Sequence, residues 1–152
     1  MSAPLTRPRK RFLRSIRLLA ECYQAFERLS GGHVRALGLT PAQFDIVATL
    51  GNTPGMTFRE LGERTLITKG TLTGVVDRLE ARGVVRRAAS PSDGRSTLVQ
   101  LTPDGERLFE RVFPAHVAHC AAALAGLDDA YFDRLDAELT ALRRVLAPTA
   151  GE

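Results

Sequence analysis

The side chains best suited to chemistry in this chain are basic and hydroxyl groups concentrated between residues 57 and 102. Arginine and lysine bind phosphate or donate hydrogen bonds to guanine, whereas threonine offers a hydroxyl group and a methyl group to thymine. This chemistry is that of binding double-stranded DNA. The candidate contact residues are Lys69, Gly70, Thr71, Thr73, Gly74, Arg78, Arg86, Arg87, Asp93 and Arg95.

One predicted helix must position most of these residues. It starts near Thr68 and ends at Gly83, where a glycine suits a left-handed C-terminal cap. Its apolar residues recur at i, i+3, i+4 and i+7, which predicts an amphipathic helix with one buried face. The residues of that face are Leu72, Val75, Val76 and Leu79.

The opposite face of this helix predicts close contact with another surface. Gly70, Thr73, Gly74 and Asp77 lie across from the apolar stripe, so this face is nearly bare of long side chains. Two glycines inside a helix cost roughly 1 kcal/mol each. Close approach to the floor of a DNA major groove would account for that cost. The alternative is a weak helix whose glycines the fold tolerates.

A short helix and a hairpin flank this central helix. Thr57 and Glu60 have the spacing of a capping box, which would open a helix from Phe58 to Arg64. Residues 84–87 and 96–101 have the composition and alternation of two strands, and the turn-rich sequence AASPSDG lies between them. Two helices followed by a basic-tipped hairpin predict a winged helix-turn-helix.

Three motifs resemble those of a known family. The sequence DGRSTLVQLT at residues 93–102 resembles the D-x-R-x-x-x-x-x-L-T wing signature of MarR-type transcriptional regulators. The sequence GTLTGVVDRLEARGVV at residues 70–85 resembles the recognition helix and first wing strand, and GLTPAQF at residues 38–44 resembles the entry to the winged domain. The resemblance implies a mainly α fold with a small β-hairpin wing (α+β class), with dimerisation helices at both ends.

The two ends of the chain carry apolar seams that one small domain cannot cover. The first helix, residues 9–36, repeats apolar residues in a heptad-like pattern from Phe12 to Phe26. The last helix repeats them from Phe132 to Leu146. A partner subunit would cover both seams, so we expect a homodimer. Pro114 lies inside the preceding helix and is expected to kink it, or to end and restart it.

The predicted organisation is a disordered basic tail, residues 1–8, followed by one domain, residues 9–152. Residues 9–37 and 103–148 are assigned to dimerisation helices, and residues 40–102 to the winged helix-turn-helix. The net charge of +4 is spread unevenly over these parts. Residues 1–20 carry six basic and no acidic side chains, residues 57–97 carry eight and five, and residues 98–152 carry five and nine. Such asymmetry is typical of a phosphate-facing surface.

Other function classes lack their signatures in this sequence. No apolar run approaches the ~18 residues of a membrane span, and the basic start lacks the apolar region of a secretion signal, so the expected location is the cytoplasm. No nucleophile with its base and no phosphate-cradling glycine motif occurs, so we expect neither an enzyme nor a cofactor. His116, His119 and Cys120 have a spacing that could hold a metal ion, but no fourth ligand accompanies them, and no metal is expected.

The candidate contacts divide into three roles. Lys69, Thr71 and Thr73 are expected to read bases in the major groove. Arg95 is expected to enter the minor groove, where narrow A·T-rich DNA has an enhanced negative potential, and Asp93 to orient Arg95 or to brace the wing. The phosphate contacts are expected to be Arg78, Arg86 and Arg87.

The resemblance also implies a signal. Members of the resembled family usually bind a small phenolic or otherwise aromatic anion between the dimerisation helices and the winged lobe, and they then release DNA. The resemblance therefore predicts an effector-responsive repressor. An alternative of the same fold senses peroxides through a cysteine of the first helix, for which Cys22 is the candidate here. We expect the Cys22 thiol instead to be buried and inert among apolar neighbours. A second alternative is a winged domain that binds only proteins.

Overall fold

The computed structural model describes residues 10–147, and this part of the chain consists of helices and a small antiparallel sheet. The predicted tail of residues 1–8 lies outside the described residues. The chain divides into two compact units, Met1–Val117 and Ala118–Glu152, so the second unit begins within the fifth helix. The elements are α1 (Phe12–Ala36), α2 (Pro41–Leu50), β1 (Met56–Thr57), α3 (Phe58–Arg64), α4 (Lys69–Ala81), β2 (Val85–Ala89), β3 (Thr97–Leu101), α5 (Pro103–Leu124) and α6 (Asp129–Leu146).

Side-chain caps set where four of these helices begin, and those of α2, α3 and α5 position the first unit. Thr57 accepts a hydrogen bond from the Glu60 N–H, and the Glu60 carboxylate accepts one from the Thr57 N–H at 2.8 Å, which confirms the predicted capping box of α3. Thr40 and Gln43 form the same arrangement at the start of α2. Thr102 accepts a hydrogen bond from the Gly105 N–H at the start of α5. These bonds satisfy N–H groups that a helix leaves unpaired.

The sheet holds β3 between β1 and β2, with both pairs antiparallel. Strands β2 and β3 form the predicted wing, but β2 extends through Ala88 and Ala89, which the sequence assigned to the turn. The third strand, β1, pairs Met56 with Val99 and leads directly into α3. Because Thr57 is both the end of β1 and the cap of α3, the wing is joined to the helix-turn-helix at its base.

The core of the first unit lies where α2, α3 and α4 meet the sheet. The predicted apolar stripe of α4 is buried on all four positions, which confirms the amphipathic pattern of the recognition helix. Gly83, just past this helix, has φ +73°, the left-handed conformation that the sequence predicted there. The fully buried side chains around the stripe include Ile46, Leu50, Leu61, Val85, Val99 and Val112.

Helix α5 continues through Pro114, so the helix does not end and restart there, which was one of the two predicted outcomes. A proline removes one hydrogen-bond donor from a helix, but Pro114 is exposed, so water can reach the carbonyl that loses its partner. Its apolar residues Leu108, Phe109 and Val112 lie buried before the proline and hold the helix in the first unit.

The apolar seams of α1 and α6 lie at the surface of this single chain. Phe12 and Phe26 of α1 are exposed, and so are Leu135 and Leu139 of α6, where no residue is buried. Cys22 is exposed on α1, which corrects the expectation that its thiol is buried. The sequence correctly placed Cys22 among apolar residues, but this chain does not cover that face of the helix.

Candidate DNA-binding surface

The outward face of α4 is the centre of the candidate surface. Thr73 is exposed on this face, opposite the buried stripe. A Cβ atom added to Gly70 or Gly74 would meet no other part of the described chain within 4 Å. Intramolecular packing therefore does not require either glycine, and their cost to the helix serves no contact within the chain. The result is a shallow surface that a second molecule can approach closely.

The two flanks of α4 differ in what they offer. On one flank, Lys69 and Thr73 line a groove of about 630 Å³ beside Phe58 and Arg59 of α3. On the other flank, the Thr71 hydroxyl lies 3.0 Å from the Thr68 hydroxyl and donates a hydrogen bond to the Thr68 carbonyl at 3.1 Å. Thr71 is thus engaged at the start of the helix, whereas the Thr73 side chain is available on the outward face.

Four exposed cations lie on this helix and on the wing. Lys69 lies at the start of α4, Arg78 on its third turn, Arg86 on β2 and Arg95 at the wing tip, and all four are exposed. None of these four side chains forms an ion pair with a carboxylate of residues 10–147. Cations that the protein leaves unneutralised can replace the counterions of a nucleic-acid backbone.

The wing tip is organised by Asp93. Its carboxylate accepts hydrogen bonds from the Arg95 N–H and from the Ser96 hydroxyl, both at 3.0 Å. The Ser96 N–H in turn donates to the Asp93 carbonyl. Of the two roles predicted for Asp93, these contacts are those of bracing the wing, because they hold its backbone and not the Arg95 guanidinium. That guanidinium extends from a fixed turn into solvent.

Arg87 is placed differently from its neighbour Arg86. Its guanidinium donates to Asp77 at 2.5 Å and to Glu80 at 2.7 Å, and it lies 5.5 Å from the centre of the Phe58 ring. The hydrogen bond to Asp77 raises the pKa of Arg87 above its ordinary value, and the charge of Glu80 adds to this. The side chain is 28% exposed, the least of the arginines in ion pairs within the described residues.

A second feature of the first unit is an open cleft of about 500 Å³ between α1, α2 and the start of α4. Its walls combine aromatic rings with a few polar groups, which is the usual composition of a small-molecule site. At its edge lies Leu66, which is 96% exposed although its N–H donates to the Asp45 carboxylate at 2.9 Å. The cleft is lined by Tyr23, Phe26, Glu27, Ser30, Phe44, Asp45, Leu66, Ile67, Thr68, Thr71 and His116.

The polar wall of this cleft is a group that sequence reasoning missed. His116 is buried, with its Nε2 atom 3.1 Å from the Ser30 hydroxyl and its Nδ1 atom 2.9 Å from His33 Nδ1. The Phe44 ring meets the His116 ring edge-on at 4.6 Å. The sequence drew attention to His116 only through His119, whereas its contacts lie on α1 and α2. Within residues 10–147, no three metal-binding side chains cluster, and no helix is long and apolar enough to cross a membrane.

Comparison with known proteins identifies the fold and the kind of site. The model of the MarR family matches residues 37–96. The HTH-type transcriptional regulator MhqR of Bacillus subtilis (strain 168) is 30% identical over 112 residues, which span 74% of this chain and 77% of that protein. The homoprotocatechuate degradative operon repressor of Escherichia coli is 36% identical over 78 residues, or 51% of this chain and 53% of that protein.

A solved structure agrees over most of the chain. Bordetella bronchiseptica BpsR, whose DNA binding is regulated by 6-hydroxynicotinic acid, has a TM-score of 0.71 and 28% identity to this chain. The similarity covers 87% of this chain and 93% of that one. The winged helix-turn-helix, the exposed face of α4 and these relatives lead to one conclusion: this chain belongs to the MarR family of DNA-binding transcriptional regulators.

Proposed function

We propose that this chain acts as a homodimeric repressor, which binds a pseudo-palindromic operator and which a small aromatic effector releases from DNA. The observation that carries the proposal is the outward face of α4, where Gly70 and Gly74 leave open space. Four exposed cations on the helix and the wing accompany it, and none of them forms an ion pair within residues 10–147. A protein-interaction module would have no need for this combination of a bare helix face and exposed positive charge. The E. coli relative that is named a repressor supports the sign of the regulation.

In this proposal, α4 lies in the major groove and the wing reaches the adjacent minor groove. Thr73 and Lys69 contact base edges, because both face the open side of the helix. Arg78 and Arg86 neutralise phosphates. Thr71 and Asp93 act from within the protein, since their polar atoms hold the start of α4 and the wing turn. Arg95 carries the minor-groove contact.

Footprinting on the DNA upstream of its own gene tests this arrangement. Two symmetry-related α4 helices should protect two half-sites whose centres are about 10 base pairs apart. Binding should weaken steeply with salt, with a slope that corresponds to ~6–10 phosphates per dimer. A single asymmetric half-site, or binding that salt does not affect, would contradict the proposal. A promoter fusion that is silenced by the protein would establish repression, whereas activation would overturn that part.

The exposed seams of α1 and α6 predict that the protein is a homodimer in solution. In the part of the chain described by the structure, α6 buries no residue, and large apolar side chains line both helices. Large exposed apolar side chains along one helix are typical of an interface. Light scattering at micromolar concentration should give the mass of two chains of 16.5 kDa. A folded species with the mass of one chain would contradict the assignment of α1, α5 and α6 as dimerisation helices.

The cleft beside α4 is proposed as the effector site. Phe44, Phe26 and Tyr23 offer aromatic contacts, and the Ser30 hydroxyl, which lies 3.1 Å from His116 Nε2, can form a hydrogen bond with a hydroxyl group of the ligand. Glu27 and Asp45 also line the cleft, and their negative charge disfavours a carboxylate. We therefore expect a phenolic effector to be favoured over a benzoate of the same size. BpsR is regulated by 6-hydroxynicotinic acid, whose ring carries both a hydroxyl and a carboxyl group, so this relative supports an aromatic effector without distinguishing the two classes.

Release follows from where this cleft opens. Residues 66–68 and Thr71 belong both to its lining and to the turn that leads into α4. A bound ring would press on this turn, which the Asp45–Leu66 hydrogen bond now holds. An effector shifts the protein away from its DNA-binding form only by binding the other form more tightly. Contact with a turn that moves with α4 provides such a difference in affinity.

Tyr23→Ala is expected to weaken the response to a phenolic effector while operator binding remains unchanged. Tyr23 is 61% exposed at the edge of the cleft, so its loss removes an aromatic contact with little effect on the core. An aromatic contact of this kind corresponds to roughly 0.5–1.5 kcal/mol. Operator release should therefore need about 2- to 12-fold more effector, as measured by fluorescence anisotropy with a labelled operator. Gln24→Ala, on the next residue of α1, should respond as the unchanged protein does.

The same measurement of operator release tests the peroxide-sensing alternative. Cys22→Ser should leave release by a phenol intact, because Cys22 does not line the cleft. If an organic hydroperoxide releases the unchanged protein but not Cys22→Ser, while no phenol releases either protein, the redox function replaces the ligand-responsive one.

A further inference from the structure

Arg87 is separated from the other cations of the DNA-binding surface by the geometry of its strand. Successive side chains of a strand point to opposite faces. Val85 is buried and shares its face with Arg87, whereas Arg86 lies on the other face and is exposed. The Arg87 side chain therefore turns back toward α4, and Arg86 turns away from it.

The contacts of Arg87 connect three elements. Its guanidinium bonds Asp77 and Glu80, which lie on successive turns of α4, and its own N–H donates to Glu80 at 3.2 Å. The same guanidinium lies over the Phe58 ring at the start of α3. A planar fork with fixed donors can hold two carboxylates at once, which a flexible ammonium group does less well. Strand β2 is thus tied through one side chain to both helices of the helix-turn-helix.

The two carboxylates also lie where DNA would meet them. Asp77 is on the outward face of α4, three residues beyond Gly74, and Glu80 follows by another three. Negative charge on this face would repel phosphates unless a cation neutralised it. Arg87 supplies that cation from within the protein, because its two terminal N–H groups donate hydrogen bonds to the carboxylate oxygens of Glu80 and Asp77.

We infer that Arg87 is a positioning residue for DNA binding, which fixes the wing against the recognition helix and neutralises Asp77 and Glu80, and which does not contact a phosphate. The inference rests on the proposed function, because it concerns how the wing reaches DNA. It differs from a phosphate contact in one measurable respect. Loss of Arg87 should remove the contribution of Arg95 to operator binding, because a wing that is no longer held against α4 does not place Arg95 in the minor groove.

A set of operator-binding measurements tests this coupling. Arg87→Gln should weaken binding at least as much as Arg95→Ala does, by about 10-fold or more. Arg86→Gln, the matched control on the same strand, should lower the salt slope as a phosphate contact does, and its loss should multiply with that of Arg95→Ala. Adding Arg95→Ala to Arg87→Gln should weaken binding by less than about 2-fold more. When Thr73→Ala is added to Arg87→Gln, the fold-losses in operator binding of the two single variants should multiply. If the Arg87 and Arg95 losses multiply and each lowers the salt slope by about one, Arg87 contacts phosphate and the inference is wrong.

Hydrogen exchange in the free protein gives a readout that does not depend on DNA. Arg87→Gln should speed exchange of the β2–β3 amides, such as the Ser90 N–H bonded to the Ser96 carbonyl, about 10-fold relative to Arg86→Gln. If Arg95→Ala alone leaves operator binding unchanged, the proposed wing contact fails, and exchange alone decides the role of Arg87. Unchanged exchange overturns the inference. Should Arg87→Gln fail to fold, Glu80→Gln removes one of the two carboxylate partners of Arg87. Exchange of the same β2–β3 amides is then compared between Glu80→Gln and Arg86→Gln.

Discussion

Arg95→Ala is expected to weaken operator binding by about 1–3 kcal/mol while the protein remains fully folded. The Arg95 side chain is exposed at the tip of a turn that Asp93 holds through the backbone, so the core does not depend on it. An arginine in a narrow minor groove gains from the enhanced negative potential there, which is greatest over A·T-rich DNA. The loss should therefore be largest on operators with A·T-rich flanks, as measured by anisotropy titration on an operator series.

The comparison with Thr73→Ala separates the wing from the recognition helix. Arg95→Ala should lower the salt slope by about one per subunit, because one cation leaves the phosphate field. Thr73→Ala should leave the slope nearly unchanged and relax discrimination at one or two base pairs of the major groove. Thermal unfolding should be the same for both variants and the unchanged protein. An Arg95→Ala protein that binds as tightly as the unchanged protein would exclude the wing tip as a DNA contact.

Gly74→Leu is expected to stabilise the folded protein and to weaken operator binding, two effects of opposite sign. Glycine within a helix is less stable than leucine by roughly 0.5–1 kcal/mol, and nothing in the described chain within 4 Å would meet the new Cβ atom. On DNA, the added side chain would occupy space that the groove needs. Steric excess of this kind costs about 1–3 kcal/mol per site, and a dimer has two such sites. The expected loss of affinity is therefore on the order of 30- to 20,000-fold.

Gly32→Ala is the matched control for this substitution. Gly32 is also an exposed helical glycine, in α1, and a Cβ atom there would meet nothing of the described chain within 4 Å. It should gain stability in the same way and leave operator binding unchanged, as followed by thermal unfolding and anisotropy titration. Gly74→Ala should lie between the unchanged protein and Gly74→Leu. If Gly74→Leu binds the operator normally, α4 does not approach DNA through this face, and the central part of the proposed function fails.

Local patterns predicted the recognition helix and the caps with few errors. The spacing of Leu72, Val75, Val76 and Leu79 permits only one buried face, and the structure buries all four. The Thr57 capping box depends only on residues three apart, so it too could be read directly from the sequence. The outward face of α4 follows from the same periodicity. The part of the candidate surface that lies on α4 could therefore be predicted from helical geometry alone.

Contacts between distant parts of the chain were not accessible in this way. Arg86 and Arg87 are adjacent arginines in the sequence, and only the register of β2 against β3 decides which of them faces α4. His33 and His116 lie on different helices, and no spacing rule connects them. The exposure of Cys22 depends on which surface covers α1, a property of packing and not of local pattern. Each of these features depends on tertiary contacts that the sequence does not encode locally.

The pairing of β1 with β3 has a consequence for the order of folding. Ala89 and Thr97 are close in sequence, so the β2–β3 hairpin closes a short loop and can form early. Met56 and Val99 are about 40 residues apart, and the entropy of closing that loop must be offset before β1 can join the sheet. Helices α3 and α4 lie within this loop, so their packing brings the ends together. The wing can therefore form as a local hairpin first, and its pairing with β1 can follow once α3 and α4 have packed.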